Sequence, residues 1–332
     1  MKNYKFLAVM FALLVLILAA CGAEDETKKD SSTTDKKATE ETNGAEEASV
    51  YPLTIAQPEG YAEVTLEEKP EKVVVFDFGF LDTLDALGVD VTAVPQANVP
   101  SYLDKYADEA AYENAGGLKE PDFEAIAAMD PDVIFISGRQ GDAYEELSKI
   151  ANTVFVGVDT TDYMNSFKAN TELAGKIFEK EAEATAALEE IDAKIAEVTE
   201  KTTGMEEKAL VVLANEGELS AYGAGSRFGV IHDVYGFPQA DEAIEASTHG
   251  QSVAYEYVLE KNPDILFVVD RDAVVSTGES GTKKAVENEI VNKTNAAKNG
   301  KIIYLDPEIW YLAGGGIESE KAKVDSVLEA LK

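Results

Sequence analysis

The sequence predicts an α/β protein of two lobes, each built on a mainly parallel sheet, joined by a single long α-helix. Strand-like apolar runs alternate with helical segments in two separate parts of the chain, which is typical of parallel sheets covered by helices. Between these parts, residues 162–201 contain no proline and one glycine. The predicted organisation is therefore an N-terminal lobe at 51–161, a connecting helix at 162–201 and a C-terminal lobe at 202–332.

The N-terminal lobe is predicted from three segments. In KVVVFDFGFLDTLDALGV at 72–89, the β-branched start predicts a buried strand, Gly79 a turn, and the remainder a helix that ends at Gly88. The segment DFEAIAAMDPDVIFIS predicts a helix at about 122–129 followed by a strand, and TVFVGVD at 153–159 predicts a further strand. Such alternation favours a Rossmann-like lobe.

The connecting segment has apolar residues at nearly helical spacing, at Ile177, Leu188, Ile191, Ile195 and Val198. A continuous helix of this length would extend roughly 55–60 Å at 1.5 Å per residue. A coiled coil fits less well, because the apolar seam is short and diluted with alanine. We therefore expect one helix that crosses from lobe to lobe.

The α/β pattern resumes in the C-terminal lobe, which is also expected to be Rossmann-like. Strands are predicted at 208–217, 263–271 and 301–306, a short helix at 226–236 and a closing helix at about 316–331.

An internal repeat relates the two lobes. DFEAIAAMDPDVIFISGR aligns with AYEYVLEKNPDILFVVDR at a constant offset of 132 residues, so that Glu124 matches Glu256 and Arg139 matches Arg271. Each lobe is thus predicted to carry the same helix–turn–strand unit, with an acid at the helix start and an arginine at the strand end.

The first fifty residues predict export and a tether. A short basic region precedes an apolar run that is too short to span a bilayer permanently, so 1–20 is predicted to be a signal peptide. The sequence LAACG around Cys21 resembles the lipobox of bacterial lipoproteins, which implies cleavage before Cys21 and lipidation of that residue. Residues 21–50 have almost no large apolar side chain and are predicted to be a disordered tether. Because Cys21 is the sole cysteine, a disulfide framework is excluded.

The net charge of −34 limits the classes of partner. Nucleic acid is excluded, because phosphate binding needs a basic footprint, and direct attraction to anionic lipid is disfavoured for the same reason. An anionic ligand would have to bind at a local positive site.

The candidates for that positive site are the three arginines, Arg139, Arg227 and Arg271, in a chain with 26 lysines. Ligands of open α/β sheets bind beyond the carboxyl ends of strands, where Arg139 and Arg271 stand, and Arg227 lies in the glycine-rich loop after the strand at 208–217. Two guanidinium groups about 6 Å apart repel by roughly 3 kcal/mol at an effective dielectric of about 20, so convergence would favour a multiply charged anion. The alternative is that each arginine pairs with one of the 63 acidic residues.

The lipobox, tether, two lobes and long helix together resemble the rigid-helix class of substrate-binding proteins, which serve the ABC importers of iron–siderophores, haem and cobalamin. Within that class, GSRFG, STHGQSVAYEYV and DPEIWYLAGGG resemble the branch that binds catecholate siderophores, including petrobactin, in Gram-positive bacteria. The resemblance implies a lipid-anchored protein on the extracellular face of the cytoplasmic membrane. It also implies that Arg139, Arg227 and Arg271 surround an Fe(III)–siderophore complex.

Further roles follow from the residues and the resemblance. Aromatic side chains near the predicted cleft can stack on catechol rings or belong to the lobe core, and they are Tyr222, Phe228, Trp310 and Tyr311. The resemblance implies that His249 and Tyr311 can ligate iron where the siderophore leaves positions open, and that no protein metal site exists otherwise. It also implies that Glu124 and Glu256 dock onto arginines of the permease.

Other functions are weaker hypotheses. Haem or cobalamin binding by the same fold remains the alternative, although a corrinoid would not need three arginines and haem propionates could use two. An enzyme is not expected: STGESGTKK departs from a phosphate loop, and GAGSRFG is not a nucleophile elbow. Two histidines are too few for a zinc or manganese carrier. We expect a monomer without a cofactor whose partners are a ferric siderophore and an ABC permease with its ATPase.

Overall fold

The N-terminal lobe is built on a parallel five-stranded sheet. The computed structural model describes residues 49–275 and 281–332. The strands of this sheet, in the spatial order β5-β4-β3-β6-β7, are β3 (Val73–Val75), β4 (Ala93–Val94), β5 (Glu113–Asn114), β6 (Val133–Ile136) and β7 (Asn152–Phe155). An antiparallel ribbon precedes it, formed by β1 (Leu53–Ile55) and β2 (Val64–Leu66).

Several predictions concern residues outside the described ranges. These are the signal peptide at 1–20, the lipidation of Cys21 and the tether up to residue 48. Within the ranges that are described, no helix combines the length and the apolar character needed to cross a membrane.

The helices of the N-terminal lobe are α1 (Phe78–Ala86), α2 (Phe123–Met129) and α3 (Tyr144–Leu147). The turn predicted at Gly79 is wrong, because Asp77 caps α1 by accepting the N–H of Phe80 at 2.9 Å and the helix includes Gly79. The glycine is needed for a different reason. A Cβ at this position would lie 2.5 Å from the carbonyl oxygen of Gly314, so α1 and a distant turn approach backbone to backbone.

The connection between the lobes differs from the prediction of one helix over 162–201. It consists of α4 (Tyr163–Phe178) and α5 (Glu181–Thr202), separated by Glu179 in the left-handed region at φ 57°. The helices fold back on one another, as the ion pair between Lys168 and Asp192 at 2.6 Å indicates. The break contains no proline or glycine, so it left no local signal in the sequence, and a left-handed glutamate is not expected from local preferences.

The C-terminal lobe holds a mixed sheet in the order β10-β9-β8-β11-β12. Its strands are β8 (Ala209–Asn215), β9 (Glu218–Tyr222), β10 (Gln251–Val253), β11 (Ile265–Asp270) and β12 (Ile302–Leu305), of which β8, β11 and β12 are mutually parallel. Its helices are α6 (Val230–Asp233), α7 (Tyr255–Lys261), α8 (Asp272–Val275), α9 (Thr282–Val286), α10 (Asn295–Lys298) and α11 (Ile317–Ala330), and a π-helical turn covers Glu308–Leu312. The predicted fold class, two α/β lobes with a long helix, is confirmed.

The two repeated units occupy equivalent places in the two sheets. β6 pairs with β3 in parallel, and β11 pairs with β8 in the same way. The helices before them end at residues that both adopt the left-handed conformation, Asp130 at φ 53° and Asn262 at φ 44°. These two residues are related by the same offset of 132, so the sequence repeat is also a structural one.

The final helix α11 contacts both lobes. Ile317 at its start packs in the N-terminal core with Leu312 and Ala313, whereas Val324 and Val327 pack in the C-terminal core. The boundary predicted for the C-terminal lobe therefore needs refinement, because the chain returns to the first lobe shortly before α11 begins.

Candidate ligand-binding cleft

A cleft of about 1520 Å³ lies between the lobes. On the N-terminal side it is lined by residues that follow β3, β6 and β7, and on the C-terminal side by residues of β8 and β9, by the residue after β11 and by the π-helical turn. This is the carboxyl edge of the parallel strands, where open α/β sheets bind ligands. Its volume exceeds the roughly 300–1,000 Å³ of ordinary small-molecule pockets, so a bulky ligand fits.

All three arginines line this cleft and are half-buried. Arg139 lies in the turn after β6, Arg271 directly follows β11, and Arg227 lies in the loop between β9 and α6. The predicted convergence in one interlobe pocket is therefore observed.

The arginines meet at Tyr311. Its backbone carbonyl oxygen accepts hydrogen bonds from Nη2 of Arg139 and from Nη2 of Arg227, each at 2.7 Å. Its hydroxyl accepts a bond from Nε of Arg271 at 2.9 Å. Its ring lies 4.1 Å below Cζ of Arg227, within cation–π range. Tyr311 thus contacts charged groups from both lobes.

None of the three guanidinium groups lies within ion-pair distance of a carboxylate in the part of the chain that the structure describes. Their partners are neutral oxygens: those of Tyr311, the carbonyl oxygen of Leu312 and the side-chain amide oxygen of Asn215. Ion pairs with acidic residues of the described ranges are therefore not the reason for the cluster. The positive charge of the cleft is therefore available to bind an anionic ligand.

The charges of the cluster shift the pKa values of two of its residues. Burial, and then the nearby charge of Arg139, lowers the pKa of Arg227. For Tyr311, burial raises the pKa, but the hydrogen bond from Arg271 and the charges of the three arginines outweigh it, so the net pKa lies below the usual value for tyrosine. The site therefore favours negative charge, including that of a phenolate.

The aromatic candidates divide into two groups. Tyr222, Trp310 and Tyr311 line the cleft, but only Tyr311 is part-buried, whereas Tyr222 and Trp310 are 2% and 4% exposed. Phe228 is only 1% exposed and packs edge-on behind Tyr222 with ring centroids 4.7 Å apart, so it supports the cleft wall from the lobe core. The hydroxyl of Tyr222 donates to the carbonyl oxygen of His249 at 2.9 Å, which fixes the loop that carries this histidine.

His249 lines the cleft and its side chain is exposed. The other histidine, His232, is part-buried with its ring Nδ1 2.9 Å from the carbonyl oxygen of Phe237. Among the described residues, no group of three or more His, Cys, Asp or Glu could hold a metal ion by itself.

Glu124 and Glu256 lie in the first turns of α2 and α7 and are exposed. They occupy equivalent positions in the two lobes, as the repeat predicted. Neither lines the cleft.

The sequence interpretation missed several residues of the site. Asn215, the partner of Arg271, ends β8, so the same strand-end reasoning would have found it. Tyr163 and Lys323 also line the cleft. The signal for Lys323 was its position on the apolar stripe of the closing helix, one residue before Val324, where a charged side chain is unusual.

Two α/β lobes around a cation-lined cleft define a ligand-binding protein of the two-lobe type. The chain belongs to the periplasmic binding protein family, whose model matches residues 73–309.

Relatives within this family are similar over most of their length. The petrobactin-binding protein YclQ of Bacillus subtilis is 45% identical over 332 residues, covering 99% of both chains. Its crystal structure has a TM-score of 0.80 and covers 84% of this chain and 98% of its own. The ferric-anguibactin-binding protein FatB of Vibrio anguillarum is 34% identical over 80% of this chain and 84% of its own. The periplasmic catecholate-siderophore binding protein VctP of Vibrio cholerae has a TM-score of 0.79 at 36% identity, over 83% of this chain and its full length.

Proposed function

We propose that this protein is a non-enzymatic receptor that captures an anionic ferric siderophore, of the catecholate or mixed catecholate–citrate kind such as petrobactin, and delivers it to an ABC importer. The observation that carries the proposal is the convergence of Arg139, Arg227 and Arg271 on Tyr311, with no carboxylate partner among the residues that the structure describes. The similarity to YclQ, FatB and VctP supports the same class of ligand.

The cluster suits a ligand that replaces Tyr311 as the acceptor. Arg139 and Arg227 share one carbonyl oxygen, which is neutral and cannot balance two guanidinium charges. A chelate with several anionic oxygens offers each arginine its own charge-assisted bond, of about 1.5–3 kcal/mol, and relieves the repulsion between them. Relief of the repulsion among the guanidinium groups thus contributes to the free energy of binding.

Contacts with the organic part of the ligand would come from the aromatic wall. Tyr311 is part-buried in the cleft wall, so a catechol ring can stack on it. Tyr222 and Trp310 also line the cleft but are 2% and 4% exposed, so they support this wall from behind. Tyr311 and His249 are the proposed iron ligands where a siderophore leaves coordination positions open. The lowered pKa of Tyr311 favours the phenolate that such ligation needs.

Delivery would use the exposed acids of the two lobes. Glu124 and Glu256 project from the first turns of equivalent helices, where they are available to arginines of a permease. The net charge of −34 would steer the protein toward a basic permease face. We further propose that lipid on Cys21 anchors the monomeric protein to the extracellular face of the cytoplasmic membrane.

A fluorescence titration of the full chain tests the ligand assignment. Trp310, the single tryptophan, lines the cleft and reports its occupancy. A ferric catecholate is expected to quench its emission with Kd below about 1 µM, and excess haem or cobalamin should not compete. Equal affinity for an uncharged ferric hydroxamate would refute the catecholate assignment, because such a ligand does not use the three arginines.

A further inference from the structure

A buried ion pair lies at the floor of the cleft. Lys323 and Glu320 stand one turn apart on α11, with Nζ 2.6 Å from Oε1, and are 2% and 0% exposed. They occupy the stripe of α11 that also buries Ile317, Val324 and Val327. Two opposite charges thus replace apolar side chains in the interior between the lobes.

The pair is embedded in a compact polar network. The hydroxyl of Tyr163 accepts a bond from Nζ of Lys323 at 2.5 Å and donates to Oε1 of Glu320. The N–H of Gly315 donates to the same oxygen at 3.0 Å. Burial raises the pKa of Tyr163 well above its usual value, so the phenol remains protonated and keeps donating. Oε2 of Glu320 has no hydrogen-bond partner among the described residues.

The pair has a defined orientation relative to the cleft. Lys323 and Tyr163 line the cleft, whereas Glu320 does not. The ammonium group lies 5.3 Å from the ring centre of Trp310 and 4.8 Å from that of Tyr163. Gly314 leaves room for it, because a Cβ there would lie 3.0 Å from Nζ. The positive end of the pair therefore faces the cleft and the negative end faces the interior.

Stability does not explain such a pair. Removing two charges from water costs several kcal/mol per ion, and well-packed apolar residues often serve equally well or better in their place. Glu320 is also incompletely compensated, since one of its oxygens is unpartnered within the described residues. Because Lys323 lines the cleft and its Nζ lies 5.3 Å from the ring centre of Trp310, we look for its role in the cleft.

We propose that the Lys323–Glu320 pair is a fixed dipole that adds a fourth positive group to the anion-binding cleft, at its floor. The inference rests on the proposed function, because it takes the ligand to be a multiply charged anion. A free lysine would add to the repulsion among the arginines of the empty cleft. The Lys323–Glu320 pair has no net charge, so it contributes little potential at a distance. A ligand close to Nζ of Lys323 still experiences a positive potential, because the carboxylate of Glu320 lies farther from it.

If the pair acts as a dipole, the direction in which each substitution changes the affinity can be predicted, whereas a purely structural role predicts no such direction. Glu320→Gln keeps an oxygen to accept the bonds at Oε1 but leaves the charge of Lys323 uncompensated. The full chain carrying this substitution should bind a ferric tris-catecholate complex about tenfold more tightly, whereas Lys323→Met with Glu320→Leu should bind it about tenfold more weakly. The double variant removes both buried charges, so it provides a folded protein for the measurement even where the single variant does not fold.

The matched control is the pair of Lys194 and Asp325, which joins α5 to α11 at 2.5 Å and does not line the cleft. Lys194→Met with Asp325→Leu should leave the affinity unchanged. Weaker or unchanged binding by folded Glu320→Gln, or unchanged binding by the double variant at Lys323 and Glu320, would overturn the inference. Absence of binding by the wild-type chain would instead refute the proposed function, so the two failures can be told apart.

Discussion

The replacement of Arg227 by alanine tests whether this residue acts in ligand binding or in the stability of the unliganded protein. Arg227 stacks on the ring of Tyr311 and donates to its carbonyl oxygen, which Arg139 also contacts. Both donor nitrogens lie 2.7 Å from that oxygen, so the two guanidinium groups are close neighbours. The substitution should therefore change ligand binding much more than it changes the stability of the unliganded protein.

The magnitudes follow from the geometry. A hydrogen bond to a charged group contributes about 1.5–3 kcal/mol, and about 1.4 kcal/mol corresponds to tenfold in Kd, so binding of a ferric catecholate should weaken by about 10- to 100-fold. In the empty cleft, alanine removes a repulsion of roughly 3 kcal/mol at about 6 Å and an effective dielectric of about 20. It also removes a cation–π contact of about 0.5–2 kcal/mol. The hydrogen bond to the carbonyl oxygen of Tyr311, of about 1.5–3 kcal/mol, is lost as well. The two losses together are about 2–5 kcal/mol and nearly balance the repulsion removed, so the stability of the unliganded variant should remain close to that of the wild type.

The assay pairs titration of Trp310 fluorescence with thermal unfolding in the absence of ligand. Lys283→Ala is the control, because Lys283 is a cation whose side chain is 75% exposed outside the cleft. It should change neither quantity. Wild-type affinity in Arg227→Ala would refute the anion-binding cluster. A parallel loss of affinity and stability would show that Arg227 acts by supporting the fold.

Three further predictions concern other parts of the molecule. Tyr311→Phe keeps the carbonyl acceptor but loses the hydroxyl that Arg271 contacts. A ferric bis-catecholate leaves coordination positions of the iron open for this hydroxyl, whereas a tris-catecholate fills them all. The substitution should therefore weaken binding of the bis-catecholate more than that of the tris-catecholate. Equal losses would remove Tyr311 from the iron ligands. Glu124→Arg together with Glu256→Arg should abolish uptake by cells while leaving Kd unchanged, and a change in Kd would contradict a docking role. Burial raises the pKa of Asp82 to about 6, although N–H donors of α11 lower it, so the folded state binds the proton more tightly than the unfolded chain. The unfolding free energy of the wild type should then rise by about 2 kcal/mol relative to Asp82→Asn as the pH falls from about 7.5 to about 4.5, and a difference that falls toward acid would refute the sign.

The lobes and the arginine positions could be predicted because their signals are local. A buried parallel strand is a short β-branched run, and an arginine after such a run lies at the edge where ligands bind. The repeat added information across the lobes, since Arg139 and Arg271 occupy equivalent strand ends. By contrast, the break at Glu179 had no local signal, because a glutamate rarely adopts the left-handed conformation and no glycine or proline marks the position.

The roles of single aromatic residues could be predicted only in part. Phe228 and Tyr222 are both buried and pack edge-on, yet only Tyr222 lines the cleft, and the choice between lobe core and cleft wall has no signal in the sequence. The position of Tyr311 among the arginines was also beyond local reasoning. It joins Arg139 across 172 residues of chain.

Two features follow from local sequence patterns, namely the two α/β lobes and the arginine at a strand end in each lobe, because strands and helices depend on near neighbours in the chain. Long-range packing brings all three arginines to Tyr311 and places Lys323 at the cleft with Glu320 behind it. Both depend on the return of residues 308–317 to the N-terminal lobe. That path is stabilised by the close approach of Gly79 and Gly314, a contact between distant segments that no periodicity in the sequence encodes.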